Sequence, residues 1–446
     1  MSARARENTP IERLIAGLTV DELREVASAA VDRHDDVERQ VRLIAARAAG
    51  DLSHLRAEVD RGLRTRMFLG YRESAGWAMA AWPIVAELEN AVDASPSRAL
   101  VELLQRAIGH VVKVILHADD SDGPIGDLAR DLLALHAWAC DAGVADPVEL
   151  ANWMVRFGFD DQDFFEVDPV RYAGALGEDG LAAYRAAVAA HKDGDSFAAA
   201  YARERLAILD RDVEGLVELL GRDLASPHEF IRAAKAMREL GLDDEVLEWA
   251  TRGVAQTRGW QTAKLYDLAC DVHTRRDEPL EVLALRRAHH ERMPSSSTYR
   301  ALRTAADALD AWPLEQGAAR ATLERADPRE FVVALLGDGE LEVAWRAARS
   351  APPDALDSDL WLRLAGSCEA ERPVDALAVY QRVVGEVLEQ ADRDAYRHVA
   401  RLLQRARAAA QAAGQLEAFG DYLSRLRERY CRRPSLIEIL DNAKLR

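Results

Sequence analysis

Ser226 to Gly253, SPHEFIRAAKAMRELGLDDEVLEWATRG, is the stretch from which the fold can be read. Ser226-Pro227-His228-Glu229 is a capping box with proline at the first helical position, so a helix is predicted to start there with its free N–H groups satisfied. Phe230, Ala233, Ala234, Met237 and Leu240 follow at helical spacing, and Gly241 closes the helix. A second helix opens at Asp243-Asp244 with Val246, Leu247, Ala250 and Val254 on one side. The unit is a helical hairpin with small residues where two helices approach closely. Such a pair cannot bury its apolar faces alone, so similar units are expected on either side.

Counterparts of the second helix follow downstream as Glu281-Val282-Leu283-Ala284-Leu285, Glu342-Val343-Ala344-Trp345 and Asp375-Ala376-Leu377-Ala378-Val379-Tyr380. From Glu245 onward their first acids are spaced by 36 (281 − 245), 61 (342 − 281) and 33 (375 − 342) residues. Two of these intervals lie near the roughly 34-residue period of tetratricopeptide repeats, and the third is about twice it with a shortfall. The usual Trp, Gly and Tyr of the first repeat helix are mostly missing, so the repeats are degenerate. Pro279, Pro294, Asp327-Pro328-Arg329-Glu330 and Pro373 sit where helices should start. Gly337 to Gly339 and Gly366 mark turns or close packing, and Ala351-Pro352-Pro353 makes an extended connector. Trp249, Trp260, Trp312, Trp345 and Trp361 fall one or two per repeat, which suits core knobs.

Upstream the chain reads as capped helices. Thr9-Pro10-Ile11-Glu12 and Thr19-Val20-Asp21-Glu22 are capping boxes, the second introducing Val20, Leu23, Val26, Ala27 and Val31 on one stripe. Tyr71 to Val92 reads as a longer helix that Pro83 should kink or divide near Ala81. Ser95-Pro96 starts a broadly apolar helix through Leu100, Leu104, Ile108 and Val112, expected to be central. The polar break around His191 to Ser196 sets an expected division into an N-terminal helical domain, 1–193, and a tetratricopeptide-like α-solenoid, 194–446. The expected fold class is therefore all-α, an α-solenoid of helical hairpins with an N-terminal helical half.

Composition bounds the partners. With 49% apolar and 30% charged residues the chain is expected to be folded and soluble. Of 58 basic residues five are Lys and the other 53 Arg, against 76 acids, for a net charge of −18. That charge opposes broad binding to a phosphate backbone, so nucleic acid is a disfavoured partner. The most apolar run, Ala107 to Leu116, is interrupted by His110 and Lys113 and is too short to span a bilayer, so no membrane partner is expected. Cys140, Cys270, Cys368 and Cys431 form no CxxC or CxC pair and read as buried or incidental thiols in a reducing cytoplasm.

Three stretches invite a functional reading. Asp120-Ser121-Asp122-Gly123 resembles the middle of a calcium loop, but the first and twelfth ligand positions would be Ala118 and Ala129, so a capped turn feeding the next helix fits better. Gly158 to Asp168, GFDDQDFFEVD, mixes acids with Phe159, Phe164 and Phe165, which can pin the loop while the acids offer a partner-binding rim. His289-His290-Glu291 approaches a metal motif, yet adjacent helical residues point roughly 100° apart and do not share one ion easily. His110 and His117, seven apart, read as structural. With no GxSxG, GxxxxGK[ST], HExxH or strand-linked GxGxxG, no catalytic residue, metal or cofactor is expected and the chain is not expected to be an enzyme.

The blocks HADDSDGPIGDLARDLLALHAWACDAGVADPVELANWMVRF, FIRAAKAMRELGLDDEVLEWATRG and SDLWLRLAGSCEAERPVDALAVYQRVVGEVLEQADRDAYRHVARLLQRARA resemble the long helical region that follows the zinc finger in bacterial SWIM zinc-finger family proteins. The closing FGDYLSRLRERYCRRPSLIEILD resembles the end of that region, and the likeness runs from about Ile11 to Leu440. It implies a helical architecture and names no catalytic residue. The CxC and Cys-x-His ligands of the finger have no counterpart here, so its zinc chemistry does not carry over.

From Asp392 to Arg446 twelve basic residues face seven acids, a local balance of +5 against the trend of the chain. Arg393, Arg397, Arg401 and Arg405 recur every four residues and should form one ridge along a helix, the candidate partner-binding residues. The ridge is either a solvated face or a docking site for an acidic partner or a nucleic-acid backbone. The sequence thus points to a non-catalytic helical-repeat scaffold for protein–protein interaction through the solenoid groove. The alternative is an accessory subunit of a DNA- or RNA-processing complex that contacts nucleic acid through the C-terminal arginine ridge.

Overall fold

The capping boxes and apolar periodicities become helices almost everywhere. The computed structural model describes residues 14–49, 52–191, 196–222, 224–389 and 393–445. The Thr9 capping box and part of the His191–Ser196 break lie outside them. Among the described residues the chain is all-α, an α-solenoid of helical hairpins with an N-terminal helical half. Extended pairing among the described residues is confined to one isolated bridge between Leu69 and Ala118. The chain divides into two compact units, Met1–Leu219 and Leu220–Arg446.

The first unit holds α1 (Val20–Val31), α2 (Asp35–Ala49), α3 (Leu52–Gly62), α4 (Tyr71–Ala94), α5 (Arg98–Ile115), α6 (Pro124–Asp141), α7 (Pro147–Arg156), α8 (Ala173–Ala190) and α9 (Phe197–Leu209). α10 (Val213–Leu220) ends at the division. The broadly apolar α5 is central as its pattern predicts: Leu104, Ala107, Ile108 and Val111 are fully buried, and the helix packs on α3, α4 and α6. Its N-cap is Ser97, whose hydroxyl accepts from the Leu100 N–H, two residues past the Ser95 that the sequence suggested.

Pro83 does not divide α4, which runs unbroken for 24 residues. The ring sits where Met79, one turn earlier, faces solvent, and the Arg39 guanidinium donates to the nearby Ala80 carbonyl at 2.9 Å. An arginine thus donates to the backbone in the turn where the proline removes a helical hydrogen bond. The Thr19 capping box of α1 forms as expected, but its stripe stays uncovered: α1 buries none of its residues, and Val20, Leu23 and Val26 are exposed.

The second unit is a run of hairpins: α11 (Pro227–Glu239) with α12 (Asp243–Gln256), α13 (Ala263–Arg275) with α14 (Pro279–Arg292), α15 (Ser296–Asp307) with α16 (Trp312–Ala326), α17 (Pro328–Gly337) with α18 (Leu341–Ser350), α19 (Ser358–Ser367) with α20 (Pro373–Val387), and α21 (Arg393–Ala412) with α22 (Leu416–Arg429), followed by α23 (Pro434–Asn442). Their first helices begin at 227, 263, 296, 328, 358 and 393, so successive hairpins are offset by 36 (263 − 227), 33, 32, 30 and 35 residues. Helices pack on their sequence neighbours and also one step further, α11 on α13, α14 on α16 and α15 on α17, the signature of a stacked array. The 61-residue interval seen in the sequence contains a whole repeat that the pattern did not reveal. Its second helix, α16, carries Glu315 at the position of Glu281 and Glu342, splitting the interval into 34 (315 − 281) and 27 (342 − 315).

The opening hairpin is built as its sequence predicts. Ser226 and Glu229 exchange the reciprocal capping bonds, and Gly241 takes the left-handed φ of 76° that a side chain would strain. Gly253 lets α12 lie against its neighbours: a Cβ there would stand 2.7 Å from both Phe230 Cβ and Leu265 Cδ1. Trp249, Trp312 and Trp345 are buried knobs and Trp361 is half-buried, but Trp260 is 72% exposed, because it sits in a 3-10 turn of the α12–α13 connection rather than on a packed helix face.

Candidate functional site

The second unit joins its hairpins with arginines. Arg275 pairs with Asp243, and Arg276 with Asp244 at 2.8 Å, across the first joint. Arg287 grips Glu315 with two bonds of 2.9 and 2.7 Å at the next. Arg303 and Arg320 converge on Asp338, Arg372 reaches Glu342 at 2.9 Å, and Arg405 reaches Glu369 at 2.9 Å. Several of the same guanidiniums lie over aromatic rings: Arg303 over Trp312 at 5.7 Å, Arg372 over Trp345 at 5.3 Å and Arg405 over Tyr380 at 4.9 Å. The planar guanidinium serves both contacts at once, which an ammonium does less well. Arg320 and Asp338 are 18 residues apart; the partners of the other bridges stand 28 to 36 residues apart, close to one repeat, and each bridge ties one hairpin to the next.

This ladder divides the predicted ridge. Arg393, Arg397, Arg401 and Arg405 all lie exposed on α21. Arg405 is the last rung, its guanidinium held by Glu369 and Tyr380 and fitted against Gly366, whose missing side chain leaves it room. Arg397 pairs with Asp394 of its own helix at 2.7 Å, and Arg401 meets the His398 ring at 3.5 Å. Arg393 and Arg401 have no carboxylate partner among the described residues. A four-residue spacing signals one helix face, while the 36 residues between Arg405 and Glu369 are a repeat-length signal that helical periodicity does not contain.

Along the same array, exposed aliphatic residues recur in the first turn of the second helices: Leu280 of α14, Leu314 of α16, Val374 of α20 and Leu416 of α22. Each is followed by an acid, Glu281, Glu315, Asp375 and Glu417. Gln316 lies 3.5 Å from Glu340 and Arg372 spans from the start of α20 to Glu342, so the N-terminal turns of α16, α18 and α20 stand side by side. Leu280 is 69% and Leu314 85% exposed, far from the buried state that their residue type favours.

In the first unit the Gly158–Asp168 loop forms a pocket. α7 passes into a π-helical turn, Phe157–Asp161, and the chain then folds back towards α8. The Gln162 amide nitrogen donates to the carbonyls of Phe157 and Phe165 at 3.1 and 2.7 Å, and its oxygen accepts from the N–H groups of Phe164 and Phe165. Arg205 of α9 holds Asp168 with two bonds of 2.8 and 2.7 Å. Of the three loop aromatics Phe165 is buried, Phe159 half-buried and Phe164 exposed, so the pinning falls to two of them. The pocket, open to solvent on one side, has a volume of about 170 Å³ and walls from Met154, Phe159, Phe165, Tyr184, Phe197 and Tyr201. Asp163 and Glu166 stand at it and His191 closes one side, its ring 4.5 Å from that of Phe159. Burial, reinforced by Asp168, pushes the Tyr201 hydroxyl well above its ordinary value, so it stays protonated.

The remaining titratable candidates sit in structural settings. Asp120 accepts from the N–H groups of Ile125 and Gly126 at 2.9 and 2.8 Å, the capped turn expected in place of a calcium loop. His110 faces Asp60 at 2.8 Å while His117 bonds the Lys113 carbonyl, so the two do not converge. Asp60 is held down at about 2 by the hydrogen bonds of Arg106. His289 stacks on Tyr266 at 4.5 Å, whereas His290 bonds Thr298 and the Ala319 carbonyl at 3.0 Å each; the neighbours point apart as their helical positions dictate. His136 is buried between Tyr172 and Gln105, and burial lowers it to about 3. Burial also pushes the Cys140 thiol up to about 12 and Cys270 to about 11, far from the thiolate that nucleophilic chemistry needs. Among the described residues no group of three or more His, Cys, Asp or Glu is placed to hold a metal ion, and no helix is long and apolar enough to cross a membrane.

These features define a helical-repeat protein. No family model matches the chain, and no curated protein matches it. Among solved structures it is similar to a circular tandem repeat protein with novel repeat topology and enhanced subunit contact surfaces, at 16% identity over 94% of this chain and 96% of that one, with a TM-score of 0.19.

Proposed function

We propose that the chain is a non-catalytic helical-repeat scaffold that binds a protein partner. The observation that carries this reading is the set of exposed aliphatics at the starts of four second helices, Leu280, Leu314, Val374 and Leu416; in α18, between the second and third of them, the matching Leu341 is half-buried against the core. Single exposed leucines are ordinary, but recurrence at matching positions of four hairpins, 34 (314 − 280), 60 (374 − 314) and 42 (416 − 374) residues apart, offers several apolar anchors along one array, as an extended partner segment requires. The non-catalytic part is supported by the thiols that burial keeps protonated and by histidines committed to structural bonds.

The alternative, nucleic-acid contact through the arginine ridge, draws on fewer side chains than the sequence suggests, because Arg397 and Arg405 already hold carboxylates. The test is a partner captured with the wild-type chain and then offered to a variant with Leu280, Leu314, Val374 and Leu416 all changed to Ser. The expected result is at least about tenfold weaker binding, consistent with several apolar anchors lost at once, with an unchanged helical circular dichroism spectrum. Unchanged partner affinity sinks the reading, and retention on DNA that falls steeply with salt transfers support to the alternative.

A further inference from the structure

The pocket under the Gly158–Asp168 loop lies in the first unit, apart from the row of aliphatics, and its chemistry is of one kind. Aromatic side chains, Phe159, Phe197 and Tyr201 among them, make its walls, and two carboxylates, Asp163 and Glu166, stand at it. Elsewhere the chain commits many of its acids to arginines, as along the ladder of the second unit, but among the described residues neither Asp163 nor Glu166 has a cation within ion-pair distance. We propose that this pocket binds an alkylammonium group.

The faces of aromatic rings attract a cation through their quadrupoles, and carboxylates beside them add charge attraction. An anion meets the two acids unfavourably, and a neutral apolar ligand leaves their charges unused. The volume, about 170 Å³, is below the range of pockets for whole drug-sized ligands and suits a head group. The walls are also held before any ligand arrives. Gln162 ties four backbone groups of the loop together, and the two-bonded Asp168–Arg205 pair fixes α9 against it. The π-helical turn adds a residue to the end of α7 and carries Phe159 to the pocket wall; such turns are frequently found at functional sites. A small free amine and a methylated lysine of a partner share this chemistry.

The test is calorimetric titration of the full chain with choline chloride, with the uncharged carbon isostere of choline, and with a short peptide bearing one trimethyllysine. Both ammonium probes are expected to bind and the isostere to bind at least about fivefold more weakly. Tighter binding of the peptide than of choline identifies the source as a protein side chain, and the reverse order identifies a free amine. Glu166→Gln and Phe197→Ala each alter an exposed side chain, so the fold is retained, and each is expected to weaken choline at least about fivefold. Glu417→Gln, on α22, is expected to change nothing. The proposal is overturned by equal binding of choline and its isostere, by no heat with either ammonium probe, or by wild-type affinity in both pocket variants. An equal loss in Glu417→Gln overturns it too, since that would be diffuse attraction to an acidic chain. Because these readouts involve only the pocket, they stand or fall separately from the row of aliphatics in the second unit.

Discussion

The two units solve the same problem, keeping helices in register, with different chemistry. In the first, α4, α5 and α6 bury one continuous apolar cluster, and the polar groups that specify it are inside: His136 with Tyr172 and Gln105, Gln162 with four backbone groups, Asp168 with Arg205. The second also buries one continuous apolar cluster, from Leu283 to Leu445, but its joints are in addition spanned near the surface by arginines that reach one repeat along the chain and lie over tryptophan or tyrosine rings. Partly exposed ion pairs contribute little stability each, on the order of 1 kcal/mol or less, so their role is to fix which hairpin face meets which. A bundle around one central helix should respond to damage as a whole, and a stack of hairpins that touch only their neighbours should respond locally.

Core truncation tests that contrast most severely. Leu104→Ala in α5 is expected to destabilise the first unit by about 2–5 kcal/mol, with hydrogen-exchange protection falling across α4, α5 and α6 together. Leu335→Ala in α17 should cost a similar amount but leave α11 and α12 protected. Equal loss of protection at α11 would show that the array unfolds as one body.

Acid is the next largest perturbation. Burial sets the folded His136 near 3, below the unfolded value of about 6.5, so the stability tied to its neutral form is fully present above pH 6.5 and is lost as pH falls from there towards 3. The first unit should lose about 2 kcal/mol of stability between pH 7 and pH 5 from this residue, and His136→Gln should flatten that slope in urea titrations at the two pH values. A slope unaffected by the substitution would place the acid sensitivity elsewhere.

Close packing and the ladder give smaller effects. Gly253→Ala forces a methyl against Phe230 and Leu265, and its expected cost, about 1–3 kcal/mol, should appear as a lower unfolding midpoint of the second unit with its slope unchanged. Arg405→Ala is expected to cost about 0.5–1 kcal/mol through Glu369 and Tyr380, while Arg401→Ala stays within about 0.5 kcal/mol of the wild type. If the two arginines prove equivalent, Arg405 is not a rung.

The register of what was legible follows from the range of each signal. Caps, left-handed glycines and apolar periodicity act within a few residues, so the helices, the opening hairpin and the capped turn at Asp120 could be read directly. That Pro83 leaves α4 undivided could not be read locally, because the Arg39 guanidinium that donates to the Ala80 carbonyl comes from some forty residues away in sequence. The repeat at α16 escaped because Trp312-Pro313-Leu314-Glu315 does not look like Glu281-Val282-Leu283 until the stacking aligns them. Trp260 could not be told from the knob tryptophans, since composition alone does not say whether a residue lies on a packed face.

By itself, then, the sequence determined that this protein is all-α and built from repeating hairpins, because local hydrogen bonding and helical spacing leave no other arrangement for those residues. Only the tertiary structure decided what the charged and aromatic side chains do. It turned Arg405 from a free ridge into a joint, left the aliphatics at the starts of four second helices exposed, and folded Gly158 to Asp168 into a pocket. The reason is distance along the chain: the Arg405–Glu369 and Asp168–Arg205 contacts join residues 36 and 37 positions apart, where helical periodicity carries no information and packing alone selects the partner.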